Sequence, residues 1–89
     1  MDSFTSSKFW KRFYELPTDV QVHARESYAR WQEDPYHDSL QFKQVHPTRP
    51  IYSVRIGRDY RALGTKDNNE ILWFWIGSHS DYDKIIANL

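Results

Sequence analysis

The residues in this sequence with the clearest potential for chemistry are two arginines that a predicted β-hairpin brings together. Residues 52–63 read YSVRIGRDYRAL, two alternating strand-like runs around a turn that contains glycine, which is typical of a hairpin. A three-residue turn at positions 57–59 would pair Ile56 with Tyr60 and place Arg55 opposite Arg61, whereas a two-residue turn would break this register. Because like charges opposite each other destabilise a sheet, the three-residue turn predicts an anion site between the arginines.

A histidine and a tyrosine follow the last predicted strand and add groups that can transfer protons. His79 lies in the loop after that strand, and Tyr82 comes three residues later. Guanidinium, imidazole and phenol groups suit cleavage of an RNA phosphodiester, in which the 2′-hydroxyl is the nucleophile and the enzyme moves protons and stabilises charge on phosphorus. The alternative is that the arginines are solvated sheet residues and that His79 caps the last helix. The spacing alone favours neither.

The positive charge of the chain is concentrated around the predicted hairpin. The whole chain has 12 basic and 12 acidic residues. Residues 41–66 contain six basic residues and one acidic residue, a net charge of +5, whereas residues 1–38 have −2 and residues 67–89 have −3. This segregation indicates a local anionic ligand rather than a generally basic protein. Besides the two arginines, the residues that we expect to bind RNA are Lys43, His46, Arg49 and Arg58.

Several classes of site are absent from the sequence. The chain has no cysteine, which excludes disulfides and thiolate chemistry and favours a reducing cytoplasm. Its histidines lack the spacing of a metal site, and its three glycines form no phosphate-binding loop, so we predict neither a metal nor another cofactor. Residues 1–7 lack the features of a signal peptide, and the longest apolar run, residues 71–76, is too short to span a membrane. We therefore expect a cytoplasmic protein with no membrane partner.

The pattern of the chain predicts two helices, an antiparallel sheet and a short final helix. Aromatic residues at helical spacing predict a helix over residues 7–16, and Pro17 separates it from a second helix that ends near residue 33, before Pro35. Strands are expected at residues 41–45, on both sides of the hairpin turn, and at residues 70–76. This last strand is almost entirely apolar and is expected at the centre of the sheet, with Trp73 and Trp75 on one face.

A helix from residue 80 or 81 to residue 88 completes the predicted elements. We expect residues 1–89 to form one α+β domain, in which the N-terminal helical pair packs on a twisted antiparallel sheet of about four strands. Residues 1–5 are too weakly strand-like to be counted among those strands.

This order of elements and several short motifs resemble the RelE/ParE superfamily of toxins from bacterial toxin–antitoxin modules. The central motifs YSVRIG (52–57) and YRALG (60–64) carry most of the resemblance. LP (16–17), DP (34–35), LQFK (40–43) and WFWIG (73–77), followed by His79 and YD (82–83), extend it over nearly the whole chain. The family fold, a helical pair against a twisted sheet with a terminal helix, agrees with the predicted order.

RelE-like members cut messenger RNA in the ribosomal A site without a metal, using basic sheet residues and a C-terminal tyrosine or histidine. The resemblance therefore implies a ribosome-associated endoribonuclease that inhibits translation. Its expected catalytic residues are Arg55, Arg61, His79 and Tyr82. Ser53 stands where the best-known cleaving members have lysine, and the family usually has an N-terminal strand.

Two other functions are compatible with the same resemblance. ParE-type members share the scaffold but inhibit DNA gyrase through protein binding, and a non-catalytic homologue would only bind an antitoxin. In every case the expected partner is a cognate antitoxin whose tail wraps the domain and neutralises its basic surface, giving a toxin–antitoxin hetero-oligomer. The nuclease would also bind mRNA and the ribosome, and the alternative would bind gyrase.

Overall fold

A computed structural model describes all residues, 1–89, as helices packed on both faces of one five-stranded sheet. The helices are α1 (Ser7–Glu15), α2 (Thr18–Glu33) and α3 (His79–Ala87), with a 3₁₀ turn at Asp38–Leu40. The strands are β1 (Asp2–Thr5), β2 (Lys43–Gln44), β3 (Ile51–Ile56), β4 (Tyr60–Asp67) and β5 (Glu70–Ser78). The predicted α+β class, with a helical pair, a sheet and a short C-terminal helix, is confirmed.

The two N-terminal helices begin and end where the sequence indicated. The Ser6 hydroxyl accepts a hydrogen bond from the Phe9 backbone N–H at 3.2 Å and caps α1. Phe9 and Phe13, four residues apart, are the buried residues of α1 because this spacing places them on one helix face. Pro17 separates α1 from α2, since its ring and missing N–H prevent a continuous helix.

The sheet contains one strand that the sequence analysis did not include. The strand order is β1-β5-β4-β3-β2, and β1 pairs in parallel with β5 while the other pairs are antiparallel. The hydroxyl of Ser3 accepts a hydrogen bond from Trp73 Nε1 at 3.1 Å, and the Ser6 backbone N–H donates to the Trp73 carbonyl. β1 is therefore held by distant partners on β5 rather than by strong strand propensity of its own residues.

A β-bulge in β5 places two tryptophans on opposite faces of the sheet. Leu63 pairs with Trp75, but the next residue, Gly64, pairs with Trp73, which leaves Phe74 as an extra residue. An extra residue reverses the alternation of side chains beyond it, so the prediction that Trp73 and Trp75 share a face is wrong. A Cβ at Gly64 would lie 2.8 Å from Ile71, and glycine therefore allows the close packing at the bulge.

The two faces of the sheet have separate apolar clusters. The face covered by α1 and α2, the helical-pair face, carries the main core of twelve buried residues, including Phe13, Trp31 and Trp73. The opposite face, the α3 face, carries a smaller cluster in which Leu63 and Trp75 pack with residues of α3. No helix of the chain combines the length and the apolar character needed to cross a lipid bilayer.

Candidate functional site

The β3–β4 hairpin has the register that brings two arginines together. Ile56 pairs with Tyr60 and Arg55 pairs with Arg61, which confirms the predicted three-residue turn. Gly57 begins this turn with a φ of 60°, a left-handed conformation that glycine adopts without the steric cost of a Cβ. Residues that pair directly across an antiparallel ladder point to the same face, so the two guanidinium groups share the α3 face.

Hydrogen bonds to the turn hold both guanidinium groups beside it. Arg55 Nε donates to the Gly57 carbonyl at 2.9 Å, and Arg61 Nη1 approaches the same oxygen at 3.4 Å. Arg61 Nη1 also donates to the carbonyls of Tyr60 at 2.7 Å and Arg58 at 3.3 Å. These bonds use one nitrogen of each guanidinium and leave the other nitrogens as donors for an oxyanion.

The surroundings of Arg61 lower the pKa of its guanidinium from the ordinary value. Partial burial is the largest cause, and the charge of Arg55 adds to it, while Tyr82, Asp83 and Asp59 act in the opposite direction. Arginine nevertheless remains charged at neutral pH. A bound anion would be stabilising here because it offsets the desolvation of Arg61 and the repulsion between Arg61 and Arg55.

The start of α3 places His79 next to the hairpin turn. The backbone N–H of His79 donates to the Asp59 carbonyl at 2.7 Å, which ties the first residue of α3 to the last residue of the turn. The helix cap is Ser78, whose hydroxyl accepts from the Asp81 backbone N–H at 3.1 Å. The alternative interpretation of His79 as the helix cap is therefore wrong, and its imidazole is not used in capping.

Tyr82 and Lys43 extend the arrangement across the α3 face. The Tyr82 hydroxyl lies 3.5 Å from the Ser53 hydroxyl, and the Tyr82 ring centroid lies 5.7 Å from that of His79. Ser53 is 3% exposed and pairs directly with Lys43 of β2. The exposed side chain of Lys43 therefore lies on the α3 face, next to the uncharged side chain of Ser53.

Trp75 fills the space on the α3 face opposite Arg61. Arg61 pairs with Gly77, and a Cβ at Gly77 would lie 2.6 Å from Trp75 Cζ2. The absence of a side chain at Gly77 thus leaves room for the indole ring. Because Trp75 is buried, it supports the sheet under α3 and offers no surface on which a base could stack.

Two of the predicted RNA-binding residues lie at the other end of α3. His46 Nδ1 accepts hydrogen bonds from the backbone N–H groups of Thr48 and Arg49, and its Nε2 lies 3.3 Å from the Leu89 carbonyl. His46 and Arg49 are therefore placed near the C-terminal end of α3, whereas the paired arginines lie near its N-terminal end. Arg58 is exposed in the hairpin turn itself.

The sequence analysis missed the carboxylates that surround this arrangement. Asp83 Oδ2 lies 3.1 Å from His79 Nδ1, and the charges of Asp83 and Asp59 act to raise the pKa of Arg61. The i, i+4 spacing of His79 and Asp83 on one helix was the available signal. The chain contains no group of three or more side chains suited to hold a metal ion.

An apolar cavity of the chain is separate from the arginines. It has a volume of about 390 Å³ and lies between the N-terminal helices and the sheet, with lining residues that include Trp10, Tyr28 and Trp31. Its sheet residues, such as Val54 and Ala62, belong to the core of the helical-pair face. It is therefore on the opposite side of the sheet from Arg55 and Arg61.

Comparison with solved structures shows the same fold in several toxins. The RelE–RelB antitoxin–toxin complex of Methanococcus jannaschii has a TM-score of 0.72 and 17% identity, with 91% of this chain and 96% of that chain covered. YafQ of Escherichia coli BL21(DE3) has a TM-score of 0.72 and 8% identity over the same shares. The YoeB/ParE toxin of Agrobacterium tumefaciens has a TM-score of 0.68 and 9% identity, with 89% of this chain and 99% of that chain covered.

The sequence itself matches one family. A search of curated proteins gives no significant match. The family model of the ParE-like toxin domain matches residues 18–84, which include α2, the arginine hairpin, β5 and most of α3. This chain therefore belongs to the family of ParE-like toxin domains, within the RelE/ParE superfamily of toxins.

Proposed function

We propose that this chain is the toxin of a toxin–antitoxin module and that it inhibits translation by cleaving messenger RNA. The observation that carries the proposal is the register of the hairpin. Arg55 and Arg61 face each other, and both retain donors for a phosphate. The backbone bond from His79 to Asp59 brings an imidazole to the same end of the α3 face. The resemblance to RelE-like members, which cut mRNA without a metal, also supports this function.

Each side chain has a role that follows from its chemistry. His79 takes the proton of the 2′-hydroxyl, whose oxygen forms a bond to phosphorus while the bond from phosphorus to the 5′-oxygen breaks. The leaving 5′-oxygen takes a proton from water, and the products carry a 2′,3′-cyclic phosphate and a 5′-hydroxyl. Arg55 and Arg61 stabilise the additional charge on the phosphorane. Tyr82 orients the 2′-hydroxyl or stacks on a base, and Lys43 binds the RNA backbone.

The expected protein partner is an antitoxin with an acidic segment. Arg55 and Arg61 lie on the α3 face, and Lys43 pairs with Ser53 on the same face, so an acidic segment would compete with RNA for this surface. The structures of the RelB–RelE complexes from M. jannaschii and Pyrococcus horikoshii show antitoxins bound to toxins of the same fold. Messenger RNA and the ribosome are the other partners that the nuclease function requires.

A second candidate function is inhibition of DNA gyrase. It is favoured by the match to the ParE-like toxin domain and by Ser53, which leaves one position of the α3 face without a cation. A gyrase inhibitor would act through protein contacts and would not need His79 as a proton acceptor. A non-catalytic, antitoxin-binding homologue would need neither His79 nor gyrase.

One experiment in cells distinguishes these functions. The toxin is induced, RNA 5′ ends are mapped, and gyrase supercoiling is measured with the purified protein. We expect new cuts at codon spacing, and loss of both cuts and toxicity in Arg61→Ala and His79→Ala. Lys66→Ala is the matched control, because Lys66 donates to the Asn68 carbonyl and lies 5.8 Å from the ring of Tyr52, a residue that packs against the core of the helical-pair face.

Two other outcomes would contradict the nuclease function. Toxicity that persists in both variants, together with double-strand DNA breaks and inhibited supercoiling, would overturn the nuclease proposal in favour of the gyrase function. No toxicity in any form would favour the non-catalytic homologue.

A further inference from the structure

The carboxylate of Asp83 contacts the imidazole of His79 in the candidate site. His79 and Asp83 are four residues apart on α3, and Asp83 Oδ2 lies 3.1 Å from His79 Nδ1. A carboxylate is only an acceptor, so this contact requires a proton on Nδ1. In the neutral imidazole, the proton on Nδ1 leaves the lone pair on Nε2.

This contact has little value for stability. The His79 and Asp83 side chains are 45% and 63% exposed, and ion pairs between exposed side chains contribute little to folding. The effect of the contact is therefore on which imidazole nitrogen carries the proton.

Asp83 has a second electrostatic neighbour in Arg61. Together with Tyr82 and Asp59, it favours the charged form of this guanidinium. A carboxylate close to Arg61 also repels an incoming phosphate. The same side chain thus interacts with the group that would accept a proton and with a group that would bind the substrate.

We propose that Asp83 is a positioning residue, which holds His79 in the Nδ1–H tautomer so that Nε2 accepts the proton of the 2′-hydroxyl, and which weakens the binding of RNA. The inference rests on the proposed nuclease function. It predicts that one substitution changes binding and turnover in opposite directions. A residue with only a structural role would not produce this pattern.

The test compares three variants of the purified protein on a fluorescent single-stranded RNA in the presence of ribosomes. In Asp83→Asn the amide can donate to His79 Nδ1 and favour the Nε2–H tautomer, which cannot accept the proton at Nε2. The kcat should therefore fall by about tenfold, which is part of the rate enhancement that a positioned base contributes. Removal of the charge should lower KM by about twofold. Asp83→Glu retains a carboxylate and should restore kcat. Asp81→Asn is the matched control, with the same charge change on the same helix, and should change neither constant.

An NMR measurement on the protein without RNA decides the tautomer directly. The ¹⁵N shifts of the His79 ring are recorded in alkaline buffer, where an imidazole is neutral. We expect a proton on Nδ1 in the wild type and a larger share of the Nε2–H form in Asp83→Asn. A wild-type ring protonated on Nε2, or Asp83→Asn kinetics equal to those of Asp81→Asn, would overturn the inference. A wild-type protein that never cuts RNA would refute the proposed function. The NMR measurement of the His79 ring would then still show whether Asp83 sets its tautomer.

Discussion

The paired arginines lead to a quantitative prediction about the salt dependence of RNA binding. Each guanidinium uses one nitrogen for the hairpin turn and has other donors available, so we assign one phosphate contact to Arg55 and one to Arg61. For single-stranded nucleic acid, each contact contributes about 0.7 to the slope of log K against log salt. Arg55→Ala and Arg61→Ala should therefore each reduce this slope by about 0.7, and the double variant by about 1.4.

The assay is fluorescence anisotropy over a range of salt concentrations. The probe is a single-stranded RNA with 2′-O-methyl groups, which lacks the nucleophile and so remains intact during the titration. Lys66→Ala provides the control, because it removes the same formal charge from a residue that lies against the Tyr52 ring and the Asn68 carbonyl. Its slope should equal that of the wild type.

Two results would refute this reasoning. Equal slopes for the wild type and the double variant would show that neither arginine contacts a phosphate. An equal loss of slope in Lys66→Ala would show that net charge, and not the position of the arginines on the α3 face, determines binding.

Three further substitutions test the packing and the chemistry of the same region. Gly57→Ala should lower the free energy of unfolding by about 1–2 kcal/mol, because the residue has a φ of 60°. Urea denaturation measures this free energy. An unchanged value would contradict the assigned turn. Leu63→Ala should lower the free energy of unfolding by about 2–5 kcal/mol, because Leu63 is fully buried. Leu72 is exposed, and the control Leu72→Ala should change this free energy by less than about 0.5 kcal/mol. Tyr82→Phe should also change stability by less than about 0.5 kcal/mol, because the 3.5 Å contact between the Tyr82 and Ser53 hydroxyls is long. The same substitution should slow RNA cleavage. An unchanged cleavage rate would exclude a role for the Tyr82 hydroxyl.

The sequence predicts the arginine hairpin because everything that determines it is local. The alternation of Tyr52 to Ile56 sets the register that opposes Arg55 and Arg61 once the turn has three residues, and the structure selects that turn over the two-residue alternative. The helix boundaries at Ser6 and Pro17 are local in the same way.

The features that the sequence does not predict depend on distant partners. The bulge that separates Trp73 from Trp75 occurs beside Gly64 of the neighbouring strand. His46 reaches the end of α3 through a contact between its Nε2 and the carbonyl of Leu89, 43 residues away. Local patterns carry no information on such pairings, and the face of Trp75 and the location of His46 were therefore accessible only from the structure.

The parallel pairing of β1 has a consequence for the synthesis of the protein. Each residue of β1 pairs with one 68 positions later, as Asp2 does with Glu70. At about 5–20 residues per second, β5 is made roughly 3–14 s after β1. During this time Phe9 and Phe13 of α1 lack the strand residues, such as Trp73, on which their cluster forms. The nascent chain therefore exposes Phe9 and Phe13 until β5 has been made, and β5 then closes the core and the sheet together.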